Sequence, residues 1–219
     1  NIPLGCTPGI NKRSVSELVL SYSLGHCRNV FASDYLMKQG IWEKNGGKLL
    51  SSTKFGIIGL GYIGSDLAAL LKAFQCEVYY NDIEDKSQIS EKLGVKFLSF
   101  HEILRKCDII SFHVPLTPLT KSMFNDSVLE MTKQGMFIIN TSRGEVVDLP
   151  ALQKGIEGKI LSGFALDVFP NEPFDSSIWS STPNIICTPH IGGNAKEAVF
   201  AMGSEAINHI EAFLRNRIL

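Results

Sequence analysis

The spacing of three glycines is the feature of this chain most directly tied to chemistry. Gly59, Gly61 and Gly64 follow an apolar run and open a helical pattern. Gly59 permits a tight turn, Gly61 lacks the Cβ that would block a phosphate, and Gly64 lets the helix lie close to the strand. Because a helix N-terminus also offers unpaired N–H groups and a positive dipole end, the segment predicts a turn that binds a pyrophosphate.

A carboxylate lies where a bound dinucleotide would need one. The apolar run at 76–80 ends in Asn81 and Asp82, so that Asp82 follows Gly64 by 18 residues. In a dinucleotide-binding fold, an acidic side chain at the end of the second strand accepts hydrogen bonds from the ribose hydroxyls. The two features together predict dinucleotide binding, and the alternative is an ordinary βαβ unit with a glycine turn.

Four polar clusters follow apolar runs later in the chain. They lie at 112–116, 140–144, 167–173 and 188–193. In a parallel sheet the ligand lies beyond the carboxyl ends of the strands, and these ends meet at one edge. We therefore expect the four clusters to converge on one cleft.

The elements that must position these residues are short apolar runs that alternate with helical patterns. Runs rich in Ile, Val and Phe, interleaved with helices, predict a parallel sheet covered on both faces, which is an α/β doubly wound fold. Ser14 is the predicted N-cap of the first helix, with Glu17 completing a capping box. Strands are predicted before Gly59 and at 76–80, 95–98, 108–114, 136–140, 161–168 and 184–187, and helices at 14–35, 66–74, 101–106, 126–131, 149–156 and 195–215.

Composition argues against several classes of partner. The 219 residues are 44% hydrophobic and 20% charged, with a formal net charge of −1. Because the chain has no basic run, we expect it to bind neither nucleic acid nor an anionic membrane, and no apolar stretch is long enough to cross a bilayer. The five cysteines are odd in number and lack metal-ligand spacing, so we expect reduced thiols, no metal and a cytoplasmic location.

In these motifs the sequence resembles the D-isomer-specific 2-hydroxyacid dehydrogenases. That family includes D-3-phosphoglycerate, D-glycerate, formate and D-lactate dehydrogenases, and its motifs occur here in the family's order. The matching segments are Gly-Leu-Gly-x-Ile-Gly at 59–64, His-Val-Pro-Leu-Thr at 113–117, Asn-Thr-Ser-Arg-Gly at 140–144, Leu-Asp-Val-Phe-x-x-Glu-Pro at 166–173 and Thr-Pro-His-Ile-Gly-Gly at 188–193. Trp42 after Gly40 favours the phosphoglycerate and glycerate dehydrogenase branch.

The resemblance implies a catalytic set of Arg143, Glu172 and His190. Reduction of a 2-oxo acid builds negative charge on the carbonyl oxygen, so that oxygen must receive a proton. An imidazole titrates near physiological pH and is a suitable general acid, and a carboxylate beside it favours the imidazolium. A guanidinium stays charged and can hold the substrate carboxylate or polarise the carbonyl.

The resemblance also implies that NAD is the cofactor. Asp82 favours NAD over NADP, because its charge repels a 2′-phosphate and no Arg or Lys stands at 83 or 84. Asp167 is expected to meet the nicotinamide carboxamide. The full set of implied cofactor contacts is Gly59, Gly61, Tyr62, Ile63, Gly64, Asp82, His113, Val114, Pro115, Thr141, Arg143, Asp167, His190 and Gly192.

Simpler interpretations stay open for these residues. His113 is equally well explained as a satisfied polar residue at a strand end. Arg143 can be an ion-pair partner of a nearby acidic residue, and Asp167 and Glu172 can be carboxylates that cap loops. Among the other residues, surface or interhelical positions are predicted for His26, His101 and His209, and packing roles for Trp42 and Trp179.

Three segments are predicted along the chain. Residues 1–50 form an approach segment with an interdomain and dimerisation helix, 51–193 form the NAD-binding domain, and 194–219 form a C-terminal helix. Members of the family are longer and carry a substrate domain, so we expect this chain to be the NAD-binding part of a longer enzyme, with little turnover alone. The resemblance also implies a homodimer through the helix at 14–35 and the loop after it.

The function implied by the resemblance is hydride transfer between NAD(H) and a small D-2-hydroxy or 2-oxo acid. The branch favoured by Trp42 acts on D-3-phosphoglycerate or D-glycerate. An alternative of a different class is an NAD-sensing transcriptional corepressor, because proteins of that kind use the same domain and keep the same three polar side chains. A non-catalytic NAD-binding module is a third option.

Overall fold

Seven parallel strands form the centre of the molecule. The computed structural model describes residues 4–218, and side chains as far as residue 215; the first three residues of the predicted approach segment and the last residue of the predicted C-terminal helix lie outside the described residues. The strand order is β3-β2-β1-β4-β5-β6-β7. The strands are β1 (Lys54–Ile58), β2 (Glu77–Asn81), β3 (Lys96–Phe97), β4 (Ile109–Phe112), β5 (Met136–Asn140), β6 (Leu161–Leu166) and β7 (Ile185–Cys187).

Helices connect these strands and cover both faces of the sheet. None of the helices in the described part of the chain is both long and apolar enough to span a membrane. The α-helices are α1 (Lys12–Cys27), α2 (Val30–Lys38), α3 (Tyr62–Ala73), α4 (Ser87–Leu93), α5 (Phe100–Lys106), α6 (Asp126–Leu129), α7 (Leu149–Glu157) and α8 (Lys196–Ile218). The predicted α/β doubly wound fold, a Rossmann fold, is confirmed.

The core has two layers because alternate residues of each strand face opposite sides of the sheet. On β5, Phe137 and Ile139 pack against α1 and α3, whereas Ile138 packs against α5, α6 and α7. All three side chains are fully buried. Burial of a side chain of this size stabilises the fold by about 1.5–3 kcal/mol. The sheet is therefore a rigid base whose carboxyl-end loops can be held in defined positions.

The first predicted helix, 14–35, is wrong as a single helix. α1 begins at Lys12 after Asn11, and Ser14 lies inside its first turn without forming the predicted capping box. Asn29 adopts a left-handed backbone conformation with φ of 52°, which separates α1 from α2. Asn accepts this conformation more readily than most residues, and it ends a helix. The hydroxyl of Ser14 is therefore available for hydrogen bonds outside the helix.

Two further differences concern short elements. α4 is not among the predicted helices; it has seven residues, of which only Ser90 is buried, so its apolar periodicity is weak. α3 begins at Tyr62, four residues before the predicted start at 66. The helix therefore begins inside the glycine turn itself.

The strand order changes direction at β1. From β1, the sheet continues to β2 on one side and to β4 on the other. The loops that follow β1 and β4 therefore separate and open a crevice at the carboxyl edge of the sheet. Both loops start from backbone hydrogen bonds at that edge: the Gly59 N–H donates to Asn81 O at 2.8 Å, and the His113 N–H donates to Ile58 O at 2.7 Å.

Candidate active site

The glycine turn has the close contacts that its spacing predicts. Gly59 has a φ of 96°, and a Cβ on it would lie 2.5 Å from His113 O. A Cβ on Gly64 would lie 2.1 Å from Gly59 O, whereas one on Gly61 would meet nothing within 4 Å. No side chain caps the N-terminus of α3. The turn thus leaves room and backbone donors for an anion in front of the helix.

Asp82 lies at the end of β2, as predicted. Its Oδ2 accepts a hydrogen bond from the Leu60 N–H at 2.7 Å, and its Oδ1 accepts one from the Glu84 N–H at 2.9 Å. A carboxylate can accept about four hydrogen bonds, so acceptor capacity remains for ribose hydroxyls. The bond to Leu60 ties Asp82 to the glycine turn, which fixes the carboxylate relative to the backbone of that turn.

Two buried polar atoms in the crevice lack a hydrogen-bond partner among the described residues. They are Nδ1 of His113, after β4, and Oγ1 of Thr141, after the neighbouring β5. The other ring nitrogen of His113 lies 2.9 Å from Ser111 Oγ. Burial lowers the pKa of His113 to about 3, so its ring is neutral at neutral pH. Since an unpaired buried polar atom costs about 1–3 kcal/mol, these two atoms fit a site completed by a ligand.

The three predicted catalytic side chains lie around one cavity of about 250 Å³. The cavity is lined by Arg143, Glu172 and His190 together with residues of the loops after β5 and β6. His190 Nδ1 lies 2.8 Å from Glu172 Oε2, and both side chains are about half exposed. The Phe169 N–H donates to the other Glu172 oxygen at 3.0 Å. The structure thus brings together residues separated by tens of positions in the sequence.

Charge and hydrogen bonding around Glu172 keep its carboxylate ionised. The hydrogen bond from His190, then that from the Phe169 N–H, lower the pKa of Glu172, and the positive charge of Arg143 acts in the same direction. The bond to Glu172 occupies Nδ1 of His190, so Nε2 is the ring nitrogen left to exchange a proton with a ligand.

Arg143 lines the cavity and does not form a local ion pair with the acidic residues that follow it. Within the described part of the chain, it forms no ion pair with Glu145 or Asp148; its Nη1 donates to the Ser142 carbonyl at 2.6 Å. Its backbone is held by Asn140, whose side-chain amide donates to Arg143 O at 2.8 Å. The side chain is exposed, so its planar fork is available to a carboxylate or a carbonyl oxygen.

Asp167 is buried, with 1% of its surface exposed. Its Oδ1 accepts hydrogen bonds from Thr188 Oγ1 and the Ile191 N–H, and its Oδ2 accepts one from the Gly192 N–H at 2.7 Å. This geometry supports the simpler interpretation of Asp167, in which its carboxylate holds a loop. The predicted contact with the carboxamide stays a prediction.

The remaining predicted cofactor residues are distributed around the same crevice. Tyr62 begins α3 and is 62% exposed, whereas Ile63 is half-buried and its carbonyl accepts a hydrogen bond from Ser16. Val114 approaches the glycine turn, since its Cγ1 would lie 3.0 Å from a Cβ on Gly59. Pro115 is exposed directly after it.

Sequence reasoning missed the residues that support the His190 loop. Thr188 accompanies Asp167 in that role, and Ser14 and Tyr22 reach the loop from α1. The only local feature of the sequence that could have indicated this support was the small polar residue at 188, beside the Pro-His pair. The partners on α1 have no signal at all, because Ser14 and Gly192 are 178 residues apart in sequence.

Several other predictions about individual residues are settled by their surroundings. Trp179 is buried, as predicted, but Trp42 is 75% exposed, so it does not pack within the chain. The prediction for His26 is wrong, since its ring stacks on Phe137 of β5 at 3.8 Å. All five cysteines are free. Among the described residues, no group of three or more His, Cys, Asp or Glu side chains is arranged to hold a metal ion.

These features define a class of protein. A doubly wound parallel sheet with a glycine turn before α3 and a carboxylate after β2 is a dinucleotide-binding domain. Comparison with known families is more specific: residues 20–192 match the D-isomer specific 2-hydroxyacid dehydrogenase, NAD binding domain. The chain belongs to this family, and NAD is the cofactor of its domain. Both the predicted family and the predicted cofactor are confirmed.

Curated relatives carry the same name in several organisms. The chain is 39% identical to the D-3-phosphoglycerate dehydrogenase of Haemophilus influenzae over 211 residues, which cover 93% of this chain and 51% of that protein. It is 37% identical to the D-3-phosphoglycerate dehydrogenase of Escherichia coli K12 over 222 residues, covering 98% and 54%. The chain thus spans about half the length of the curated relatives it matches.

Solved structures agree with this assignment. The D-lactate dehydrogenase of Aquifex aeolicus, crystallised with NAD and lactic acid, superposes with a TM-score of 0.87 at 26% identity, covering 97% of this chain and 69% of that one. A D-lactate dehydrogenase from Sporolactobacillus gives a TM-score of 0.85 at 30% identity, covering 93% and 66%. The likeness therefore extends over nearly all of the chain.

Proposed function

We propose that this chain is the NAD-binding domain of a dehydrogenase that transfers a hydride between NAD(H) and a D-2-hydroxy or 2-oxo acid. The observation that carries the proposal is the cavity at which His190, Glu172 and Arg143 meet, with His190 bonded to Glu172 at 2.8 Å. Reduction of a 2-oxo acid requires a general acid, a carboxylate that orients it and a fixed cation, and these three residues provide them in that order.

The cofactor is held by the crevice that the fold creates. The backbone at 59–64 would hold the pyrophosphate, Asp82 would accept hydrogen bonds from the ribose hydroxyls, and the unpartnered atoms of His113 and Thr141 would bond to other polar groups of the cofactor. When bound, NAD(H) supplies or accepts the hydride. The protein supplies position and electric field.

His190 and Arg143 act on the substrate. In the reductive direction, Nε2 of His190 donates a proton to the carbonyl oxygen, and in the oxidative direction it accepts the hydroxyl proton. Glu172, bonded to Nδ1, fixes the orientation of the ring and balances the charge of the imidazolium. Arg143 binds the substrate carboxylate or polarises the carbonyl.

The substrate class follows from the curated relatives. Because the two curated relatives described above are named D-3-phosphoglycerate dehydrogenases, we propose D-3-phosphoglycerate and its 2-oxo form as the substrate pair, with D-glycerate as the second choice. The test is a panel of phosphohydroxypyruvate, hydroxypyruvate, glyoxylate and pyruvate with the full-length gene product, followed by NADH absorbance. Absence of turnover with all four acids would remove the proposal.

A matched pair of variants tests the role of His190. We expect His190→Ala to lower kcat by about 100-fold or more and to leave the Kd for NADH within about twofold, because the histidine acts on the substrate proton. His101, an exposed histidine on α5, is the control, and His101→Ala is expected to match the parent. Equal activity of the two variants would contradict a catalytic role for His190.

We propose a cytoplasmic homodimer in which α2 and the loop after it form the contact. This segment exposes several large apolar side chains, which is unusual for a surface without a partner. They are Val30, Phe31, Met37, Ile41, Trp42 and Leu49.

A further inference from the structure

The loop that carries His190 is bonded to α1 through a serine. Ser14 Oγ donates to the carbonyl of Gly192 at 2.6 Å and accepts a hydrogen bond from the Ala195 N–H at 3.2 Å. Both partners lie shortly after His190 in the chain. One side chain of α1 therefore ties down the C-terminal side of the His190 loop.

A second side chain of α1 holds the N-terminal side of the loop. The hydroxyl of Tyr22 is hydrogen-bonded to Thr188 Oγ1, which donates to Asp167 Oδ1. Asp167 also accepts the N–H groups of Ile191 and Gly192, so it binds the loop on both sides of His190. Tyr22 and Asp167 are 2% and 1% exposed, and water does not compete for their bonds.

The backbone of His190 needs such support. Its φ of 54° lies in the left-handed region, which costs a residue with a Cβ roughly 1–2 kcal/mol. A residue keeps a costly conformation only where its surroundings impose it. The bonds from α1 and Asp167 lie on both sides of His190 and supply that constraint.

The same helix also contacts the cofactor side of the site. Arg13 forms two hydrogen bonds with Asp66 of α3, at 2.8 and 3.0 Å, and Ser16 Oγ lies 3.3 Å from the Ile63 carbonyl. α1 is thus bonded both to the helix that follows the glycine turn and to the loop that carries His190. It therefore connects these two parts of the molecule by hydrogen bonds.

We propose that Tyr22 and Ser14 are positioning residues for His190, acting through Thr188, Asp167 and the Gly192 carbonyl. The catalytic consequence rests on the proposed function, whereas the positioning of His190 against Glu172 does not. Loss of either hydroxyl is expected to loosen the His190 loop and to lower the fraction of molecules in which His190 is bonded to Glu172.

The first test needs neither cofactor nor turnover. The pKa of the Glu172 carboxyl, followed by NMR of its Cδ in this chain, reports whether His190 is in place, because the bond from His190 is the largest cause that lowers it. Tyr22→Phe and Ser14→Ala are expected to raise this pKa toward its ordinary value. The controls are Tyr79→Phe, an equally buried tyrosine bonded to Glu77, and Ser23→Ala, a buried serine of α1 bonded to its own helix.

Two outcomes of this titration overturn the positioning role. One is an unchanged Glu172 titration in Tyr22→Phe and Ser14→Ala, and the other is an equal change in the two control variants. Urea unfolding of each variant accompanies the titration, and the comparison is made between folded proteins. Ser14→Ala serves if Tyr22→Phe does not fold, since Ser14 is only partly buried.

The second test is kinetic and uses the full-length gene product. Tyr22→Phe and Ser14→Ala are expected to lower kcat by about tenfold while KM and the Kd for NADH change less than about twofold, because a misplaced general acid affects the proton transfer rather than binding. An unchanged kcat, or a rise in KM alone, refutes the catalytic consequence. If the parent protein has no turnover, the proposed function fails, and the titration still decides the positioning of His190.

Discussion

At the scale of single residues, the contact between His190 and Glu172 carries the most chemistry. Each side chain is about half exposed, so bulk water screens the pair and the bond contributes little to stability. The role of the hydrogen bond is geometric, because it fixes the plane of the His190 ring and directs Nε2 away from Glu172. Because neither side chain is buried in the core, packing does not explain why His190 and Glu172 are held together, and a functional role does.

The electrostatic side of this contact is directly measurable. We expect His190→Gln to raise the pKa of Glu172 toward its ordinary value, because the hydrogen bond from His190 is the largest cause that lowers it. NMR titration of the Glu172 carboxyl in this chain is the measurement. His101→Gln is the control, and a Glu172 pKa that does not move in His190→Gln would show that the two side chains are not bonded in solution.

At the scale of elements, the glycine turn and α3 act as one unit, and two of its glycines have separate roles. We expect Gly64→Ala to lower the free energy of unfolding by about 1–3 kcal/mol, because the added Cβ would lie 2.1 Å from Gly59 O. Gly61→Ala meets no neighbour within 4 Å, so we expect normal stability and weaker NADH binding.

Urea unfolding and NADH fluorescence distinguish these two glycines. The pair serves as its own control, since the same methyl group is added at two positions three residues apart on one turn. Equal loss of stability in both variants would mean that the turn is merely tightly packed. Unchanged NADH affinity in Gly61→Ala would mean that the pyrophosphate does not pass over it.

We expect the packing of α1 on the sheet to make the stability of the fold depend on pH through His26. Burial first, and then the charge of Lys48, lower the pKa of His26 to about 4, from an ordinary value of 6.5. The unfolded chain therefore binds a proton at higher pH than the folded one, so this contribution is present above pH 6.5 and is lost as the pH falls to about 4. Because the ring is partly exposed, we expect His26 to contribute about 1–3 kcal/mol to the free energy of unfolding at neutral pH.

Chemical unfolding between pH 4 and 7 measures this effect. His26→Phe keeps a ring against Phe137 and cannot titrate, so we expect it to flatten the pH dependence in this range. His101→Phe, on the surface, should keep the slope of the parent. A slope that His26→Phe does not change would assign the pH dependence to other groups.

At the scale of the whole molecule, the exposed apolar side chains of α2 and the following loop predict self-association. We expect sedimentation at about twice the chain mass of 24.1 kDa. Trp42→Glu places a charge in the contact and is expected to shift the protein toward the monomer. Ile178→Glu, at an exposed apolar position elsewhere, should not. A parent protein that sediments at the mass of one chain would rule out this dimer.

The dehydrogenase and corepressor functions, two of the three that the sequence left open, are not equally supported. The curated relatives named above are dehydrogenases, and nothing in the comparisons favours a corepressor. The arrangement of Arg143, Glu172 and His190 around a shared cavity suits catalysis, but it does not by itself separate the two classes, since corepressors on this domain keep the same side chains. The preference for catalysis therefore rests on the relatives.

Most elements of the fold were predictable because their signals are local. The buried strands of a parallel sheet are continuous apolar runs, and β5 was predicted with its observed bounds, Met136–Asn140. The break between α1 and α2 was not predictable in the same way. The helical pattern of apolar residues continues on both sides of Asn29, and only the folded structure shows that its backbone is left-handed.

The sequence by itself determined the family, the cofactor and the identity of the polar side chains at the strand ends, because glycine spacing and strand-end motifs are short and local. Only the tertiary structure decided how His190 is supported. Ser14 and Tyr22 meet its loop across 178 and 166 residues, and contacts of that range exist only once α1 has packed on the sheet. No spacing in the chain records them, since hydrogen bonds between distant segments are a product of packing rather than of local sequence.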